Sequence, residues 1–168
     1  MPHQFAKSLD HPLRMAYREP VEQLGLYGIM AGMTVLDLGC GTGTFTVDMA
    51  RMVGPDGTVH AVDIQAPLLD RTRSRLLEQG LLDRVRLHHA GANALPLPDN
   101  SVDVAVVIAT LAEAPDRHGA LLELRRVLKP EGRLAVSEEM PDPAYVFSGA
   151  IRTWAEDAGF ALMAKTAP

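Results

Sequence analysis

The feature that most constrains this chain is a short apolar run, Val35-Leu36-Asp37-Leu38, that passes directly into Gly39-Cys40-Gly41-Thr42-Gly43 and then into an amphipathic stretch. A strand that is apolar at nearly every position needs cover on both faces, which is the situation inside a parallel sheet flanked by helices. From Gly32 onward the pattern repeats, with short runs rich in Val, Leu and Ala alternating with longer amphipathic segments. Strands are expected at 34–38, 58–64, 85–89, 102–108 and 133–137, with a weaker one at 161–165. Helices are expected at 44–52, 66–79 and 116–128. Gly80 offers a C-cap to the second helix, and the third stops before the turn Lys129-Pro130-Glu131-Gly132. The fold class is therefore α/β, a doubly wound and mostly parallel sheet.

At 168 residues the chain fits one domain, residues 1–168, with a single core. Pro12 and Pro20 interrupt the first 31 residues, where 20–26 reads as a short helix, so this segment is expected to form a helical lid over the cleft. Hydrophobic residues make up 47% and charged residues 22%, the balance of an ordinary globular core. The net charge is −5 and the arginines are dispersed among acids, which argues against a nucleic-acid surface. One cysteine forms no internal disulfide, and the first residues carry no basic stretch leading into an apolar signal core. No apolar run approaches the ~20 residues of a membrane span. A cytoplasmic protein without membrane partners is expected.

A glycine loop between a strand and a helix brings backbone and a helix N-terminus to the carboxyl edge of the sheet, where open α/β folds bind ligands. Asp63 lies at the end of the second predicted strand, next to its last residue and twenty positions beyond Gly43, where an acid can take both ribose hydroxyls. Together they indicate an adenosine-containing ligand. A dinucleotide fingerprint needs a further glycine at Thr44 or Thr46 and fails in both registers. Asp37, just before the loop, would repel a pyrophosphate but suits a cationic ligand. A nicotinamide-dependent oxidoreductase is thereby disfavoured.

With Val35 to Gly43 and Val62-Asp63 in place, two further stretches complete a resemblance. They are Leu95-Pro96-Leu97-Pro98-Asp99-Asn100-Ser101-Val102-Asp103 and Glu123-Leu124-Arg125-Arg126-Val127-Leu128-Lys129-Pro130-Glu131-Gly132. From Gly32 to Phe160 the chain resembles the class I S-adenosylmethionine-dependent methyltransferases, in particular the small ubiquinone/menaquinone-type group. The resemblance implies a Rossmann-like sheet and S-adenosylmethionine as cofactor. It places Asp37, Gly39, Cys40, Gly41 and Gly43 around the methionine moiety, Asp63 on the ribose, and Ile64, Ala92 and Asn93 about the adenine. Where the family commonly has an acid for the adenine amine this chain has Gly91, so Asn93 or a backbone carbonyl must substitute. The family's seventh strand is not expected here, and the C-terminal sheet edge is expected to be covered by the rearranged C-terminal segment or by a second copy of the chain.

Methyl transfer from a sulfonium needs alignment above all, with a base only where the acceptor must lose a proton, so no catalytic residue is assigned. Glu113 and Glu138 are the candidate bases, though exposed loop acids are the simpler account of both. Cys40 has no base beside it and receives no chemistry. Asp103 reads as structural, and His88-His89 as ordinary packing, without the further ligands a metal would need. The Asn/Asp-Pro-Pro-aromatic segment of enzymes that methylate base amines is missing after Ile108. The leading expectation is methyl transfer to a small-molecule acceptor, and the alternative is a noncatalytic module that binds the cofactor or oligomerises.

Overall fold

The computed structural model describes residues 24–138 and 146–163. Five parallel strands form its sheet: β1 (Thr34–Leu38), β2 (Thr58–Asp63), β3 (Val85–His89), β4 (Val102–Ile108) and β5 (Leu128–Ser137). Their order is β3-β2-β1-β4-β5. The chain thus winds outward from β1 to one edge and then crosses back to lay β4 on the other side of β1. Helices α1 (Thr44–Val53), α2 (Ala66–Glu78), α3 (Arg117–Val127) and α4 (Ser148–Asp157) make the connections or follow the last strand.

Alternation along the strands divides the core in two, as a doubly wound sheet requires. Val35, Val59, Ala61, Val85, Val104 and Val106 face α1 and α2, meeting Val47, Met49, Leu69 and Leu76. Leu36, Leu38, Val62, Ala105 and Val107 face the other way, against Leu121 and Leu124 of α3, the loop residues Leu95 and Leu97, and Trp154 of α4.

Asp103 has the structural role its sequence position suggests. Its carboxylate accepts from Thr34 N at 2.9 Å and from Lys129 Nζ at 2.6 Å, tying together the starts of β1, β4 and β5. Burial works against its ionisation, but these two donors outweigh it and hold the carboxyl below its ordinary range. The motifs at 95–103 and 123–132 are likewise one physical unit. Arg126 donates to the carbonyls of Leu95 and Leu97 and to Asp99, while Glu123 accepts from Leu95 N.

Two expectations need correction. The segment 129–132 is not a free turn: β5 already begins at Leu128, paired with Val102, and regular pairing resumes at Val104 with Arg133. The extra residues bulge from the strand because Lys129 is held by Asp103. The weak strand at 161–165 does not form over 161–163, and 164–165 lie outside the described residues. Gly159, at φ +86°, turns the chain off α4, and Leu162 and Met163 are left exposed instead of joining a sheet. No sixth or seventh strand occurs among the described residues, where β5 is an edge. Of the expected N-terminal lid, residues 1–23 lie outside the described residues, and 24–26 are helical. No described helix is long and apolar enough to cross a membrane.

Candidate active site

A cavity of about 440 Å³ opens at the carboxyl ends of the strands, on either side of the point where the winding reverses between β1 and β4. This is where open α/β sheets hold their ligands, because the connections leave β1 and β4 in opposite directions and part there. Asp37, Gly39, Cys40 and Gly41 line it from β1 and its loop, Asp63 and Ile64 from β2, Ala92 and Asn93 from beyond β3. These are eight of the nine residues expected to bind the cofactor.

The ninth, Gly43, is not among the lining residues. At φ +80° it precedes α1, and a Cβ there would meet Thr72 Cγ2 at 2.7 Å. Gly39 is similar: at φ +78° its missing Cβ makes room for Thr110 from beyond β4. These glycines serve close packing within the protein as well as left-handed backbone. Nor does the loop offer a ring of free amides. Gly39 and Cys40 donate to Val62 O, Gly43 donates to Cys40 O, and Gly41 donates to Asp63 Oδ2 at 3.0 Å. A loop whose donors are spent internally is a poor seat for pyrophosphate, so geometry joins the spacing against a dinucleotide.

What the site presents is negative charge in a sheltered place. Asp37 is 3% exposed and accepts from Thr46 Oγ1 at 2.6 Å. Burial pushes its carboxyl up to about 6; the Thr46 bond opposes this and the neighbouring Asp63 charge adds to it. Asp63, 7% exposed, also accepts from Gln65 N at 2.8 Å through Oδ1. Each oxygen thus holds one backbone amide and keeps a lone pair for a ligand hydroxyl. The same acid fixes the glycine loop and the turn into α2, a double duty that its sequence position did not reveal. Cys40 is buried, and desolvation with the charges of Asp37 and Asp63 drives its thiol far up, which leaves it inert.

Across the cavity lie Ile108, Ala109, Thr110, Glu113, Ala114 and Pro115. Ala109 has φ +49°, unusual for a residue with a Cβ, and its amide donates to Ser137 O on β5. Arg117 secures the next turn by donating to Ala112 O at 2.8 Å while lying over the Trp154 ring at 4.9 Å. Of the two candidate bases, Glu113 lines the cavity and Glu138 does not. Away from the site, His88 Nε2 lies 2.9 Å from His60 Nδ1, and burial keeps both rings toward their neutral forms. Among the described residues no group of three side chains is arranged to hold a metal.

A methyltransferase-domain family model matches residues 29–159. A solved structure, a SAM-dependent methyltransferase from Aquifex aeolicus, superposes with a TM-score of 0.87 and 32% identity, covering 95% of this chain and 88% of that one. The chain belongs to the class I S-adenosylmethionine-dependent methyltransferases. Within this family it is similar to ubiquinone/menaquinone biosynthesis C-methyltransferases UbiE. The protein of that name from Hahella chejuensis is 44% identical over 111 residues, 66% of this chain and 45% of that protein. For the one from Stutzerimonas stutzeri the figures are 39% over 125 residues, 74% and 49%. The chain spans about half the length of these relatives. The family's cofactor fits the site: a sulfonium and an ammonium suit a cavity lined by two buried carboxylates, and a ribose suits the remaining lone pairs of Asp63.

Proposed function

We propose that this chain transfers a methyl group from S-adenosylmethionine to a small, largely apolar acceptor, with the ring carbon of a quinol-type compound as the foremost candidate. The observation that carries the reading is the cavity at the winding reversal, with Asp37 and Asp63 on one wall and Phe45, Ile108, Ala109, Ala114 and Pro115 forming apolar surface beside them. The names of the UbiE relatives support a C-methyl acceptor of quinone type. S-adenosylmethionine, when bound, supplies a methyl group already activated on a sulfonium. In this proposal Asp37 balances the positive charge of the methionine portion, Asp63 takes the ribose hydroxyls, and Ile64 with Ala92 and Asn93 borders the adenine. Gly39, Cys40 and Gly41 shape the floor, and Gly43 acts through packing on Thr72. Glu113 is the acid placed to receive a proton from the acceptor.

The test is transfer of labelled methyl from S-adenosylmethionine to a panel of quinols, phenols, thiols and amines. Product on the quinol class supports the full reading, and product on another small class redirects the acceptor. Cofactor binding without product across the panel would contradict methyl transfer. Association of two copies through the β5 edge is also proposed; a sedimentation experiment showing only monomer at working concentration removes it.

A further inference from the structure

Of the buried residues of α1, Phe45, Val47, Met49, Ala50 and Val53 are apolar and Thr46 is polar. Thr46 is fully buried and does not line the cavity, although its neighbours Thr44 and Phe45 do. A buried hydroxyl needs a partner, and a threonine inside a helix commonly finds one in the carbonyl four positions earlier. Thr46 Oγ1 instead donates across nine positions of chain to Asp37 Oδ2, at 2.6 Å.

Asp37 has little else to hold its charge. Asp63 accepts a backbone amide on each oxygen, from Gly41 and from Gln65. Asp37 is the more deeply buried of the two acids, and Thr46 is its one donor among the described residues. Beside it on the sheet stand Ala61 of β2 and Val106 of β4, which carry no charge. The ionisable groups around it are Asp63 and the Cys40 thiol, which stays protonated, with Glu113 on the far side of the same cavity. Burial is the largest influence and favours the neutral carboxyl; the Thr46 bond opposes it, Asp63 adds to it, and the balance falls at about 6. Removing a hydrogen bond to the charged form moves that balance up toward neutral pH.

Resting on the cofactor reading above, we propose that Thr46 is the positioning residue that fixes the Asp37 carboxylate and keeps it charged for a cationic cofactor. It touches no ligand and acts through Asp37. This one hydroxyl thereby sets the pH range over which S-adenosylmethionine is held.

The experiment has two readouts on the wild-type protein, Thr46→Val, Thr46→Ala and Thr46→Ser. Carbon NMR follows the Asp37 carboxyl in the ligand-free protein, and calorimetry follows S-adenosylmethionine between pH 5 and 8. Thr46→Val and Thr46→Ala, which lack the hydroxyl, should raise the Asp37 midpoint by about one pH unit, the scale of one hydrogen bond to a charged group. Their cofactor affinity should then fall about fivefold near pH 6 and return to within about twofold of wild type by pH 8. Thr46→Ser keeps the hydroxyl and should follow the wild-type curve. An unchanged midpoint in both hydroxyl-free variants overturns the proposal. So does a loss of affinity that is equal at every pH, which would make Thr46 a packing residue, and so does a Thr46→Ser curve that matches Thr46→Val. A midpoint that moves while cofactor affinity stays put breaks the link to binding and overturns it as well. If the wild-type protein binds no S-adenosylmethionine at any pH, the cofactor reading itself fails and takes this one with it.

Discussion

The two walls of the cavity are built by different means. On the β1–β2 side the parts are close together: a strand, a loop whose amides are spent on Val62, Cys40 and Asp63, and a helix that starts at once. On the β4 side, residues 108–116 are held by elements outside that stretch, with Ser137 of β5 taking the amide of Ala109, Arg117 at the start of α3 reaching Ala112, and Asn93 from beyond β3 reaching Asp116. The first wall is tied together within the single β1–β2 unit, its glycine loop bound to Val62 and Asp63, which suits a ligand common to a whole family. The second depends on anchors drawn from β5, α3 and the segment after β3, so its shape can change with little disturbance to the first. That is how one fold can keep its cofactor and vary its acceptor.

Gly39 joins the two walls, and breaking it should have the largest effect. Gly39→Ala places a Cβ on Thr110 and in left-handed backbone, at an expected cost of about 3 kcal/mol of stability and loss of cofactor binding. Adding Thr110→Gly, which removes the Thr110 Cβ at 2.8 Å together with the atoms beyond it, should recover part of this, leaving the backbone penalty of about 1–2 kcal/mol. Thermal or denaturant unfolding checks both. If the double variant is no better than the single one, the walls do not meet at this glycine.

Asp37→Asn comes next. A carboxyl raised from 3.8 to about 6 in the folded protein makes the ligand-free fold most stable when it is neutral, and that contribution is lost as pH rises from about 4 to 6. At neutral pH the amide, which keeps an acceptor for Thr46, should therefore stabilise the ligand-free protein by about 1–3 kcal/mol while weakening S-adenosylmethionine at least tenfold. Unfolding and calorimetry together read this trade. Greater stability without weaker binding would remove Asp37 from the site.

The smallest effect belongs to the far wall. Arg117→Ala takes away the anchor of Ala112 and the contact with Trp154, and should cost about 1 kcal/mol while changing cofactor affinity less than twofold. A large loss of cofactor affinity would show that the walls are not separable.

This difference also explains what could be read in advance. All five strands and three of the helices are legible because periodicity and turn residues are local, and the ends of β1, β3 and β4 coincide with expectation. The placement of Asp37 and Asp63 at the cavity was legible because their offsets from the glycine loop are fixed by the βα unit itself. That Gly43 lies against Thr72 and off the cavity lining could not be read, since a glycine that admits a ligand and one that admits a side chain look alike in sequence. The start of β5 was missed because its bulge is set by Asp103, which pairs with Lys129 across 26 positions. The Asn93–Asp116 contact had no local signature either, though Asp116, followed three positions later by Gly119, is a recognisable helix start.

The central claim is that a sheltered carboxylate at Asp37 meets a positively charged cofactor. Calorimetric titration of S-adenosylmethionine between pH 5 and 8 tests it most directly, on the wild-type protein and on Asp37→Asn. The account predicts wild-type affinity that is steady above about pH 6.5 and falls as pH drops through about 6, where the carboxyl takes up a proton, and a weaker, level affinity in the variant. Wild-type affinity unchanged across that range, or a variant that follows the same curve, would contradict it.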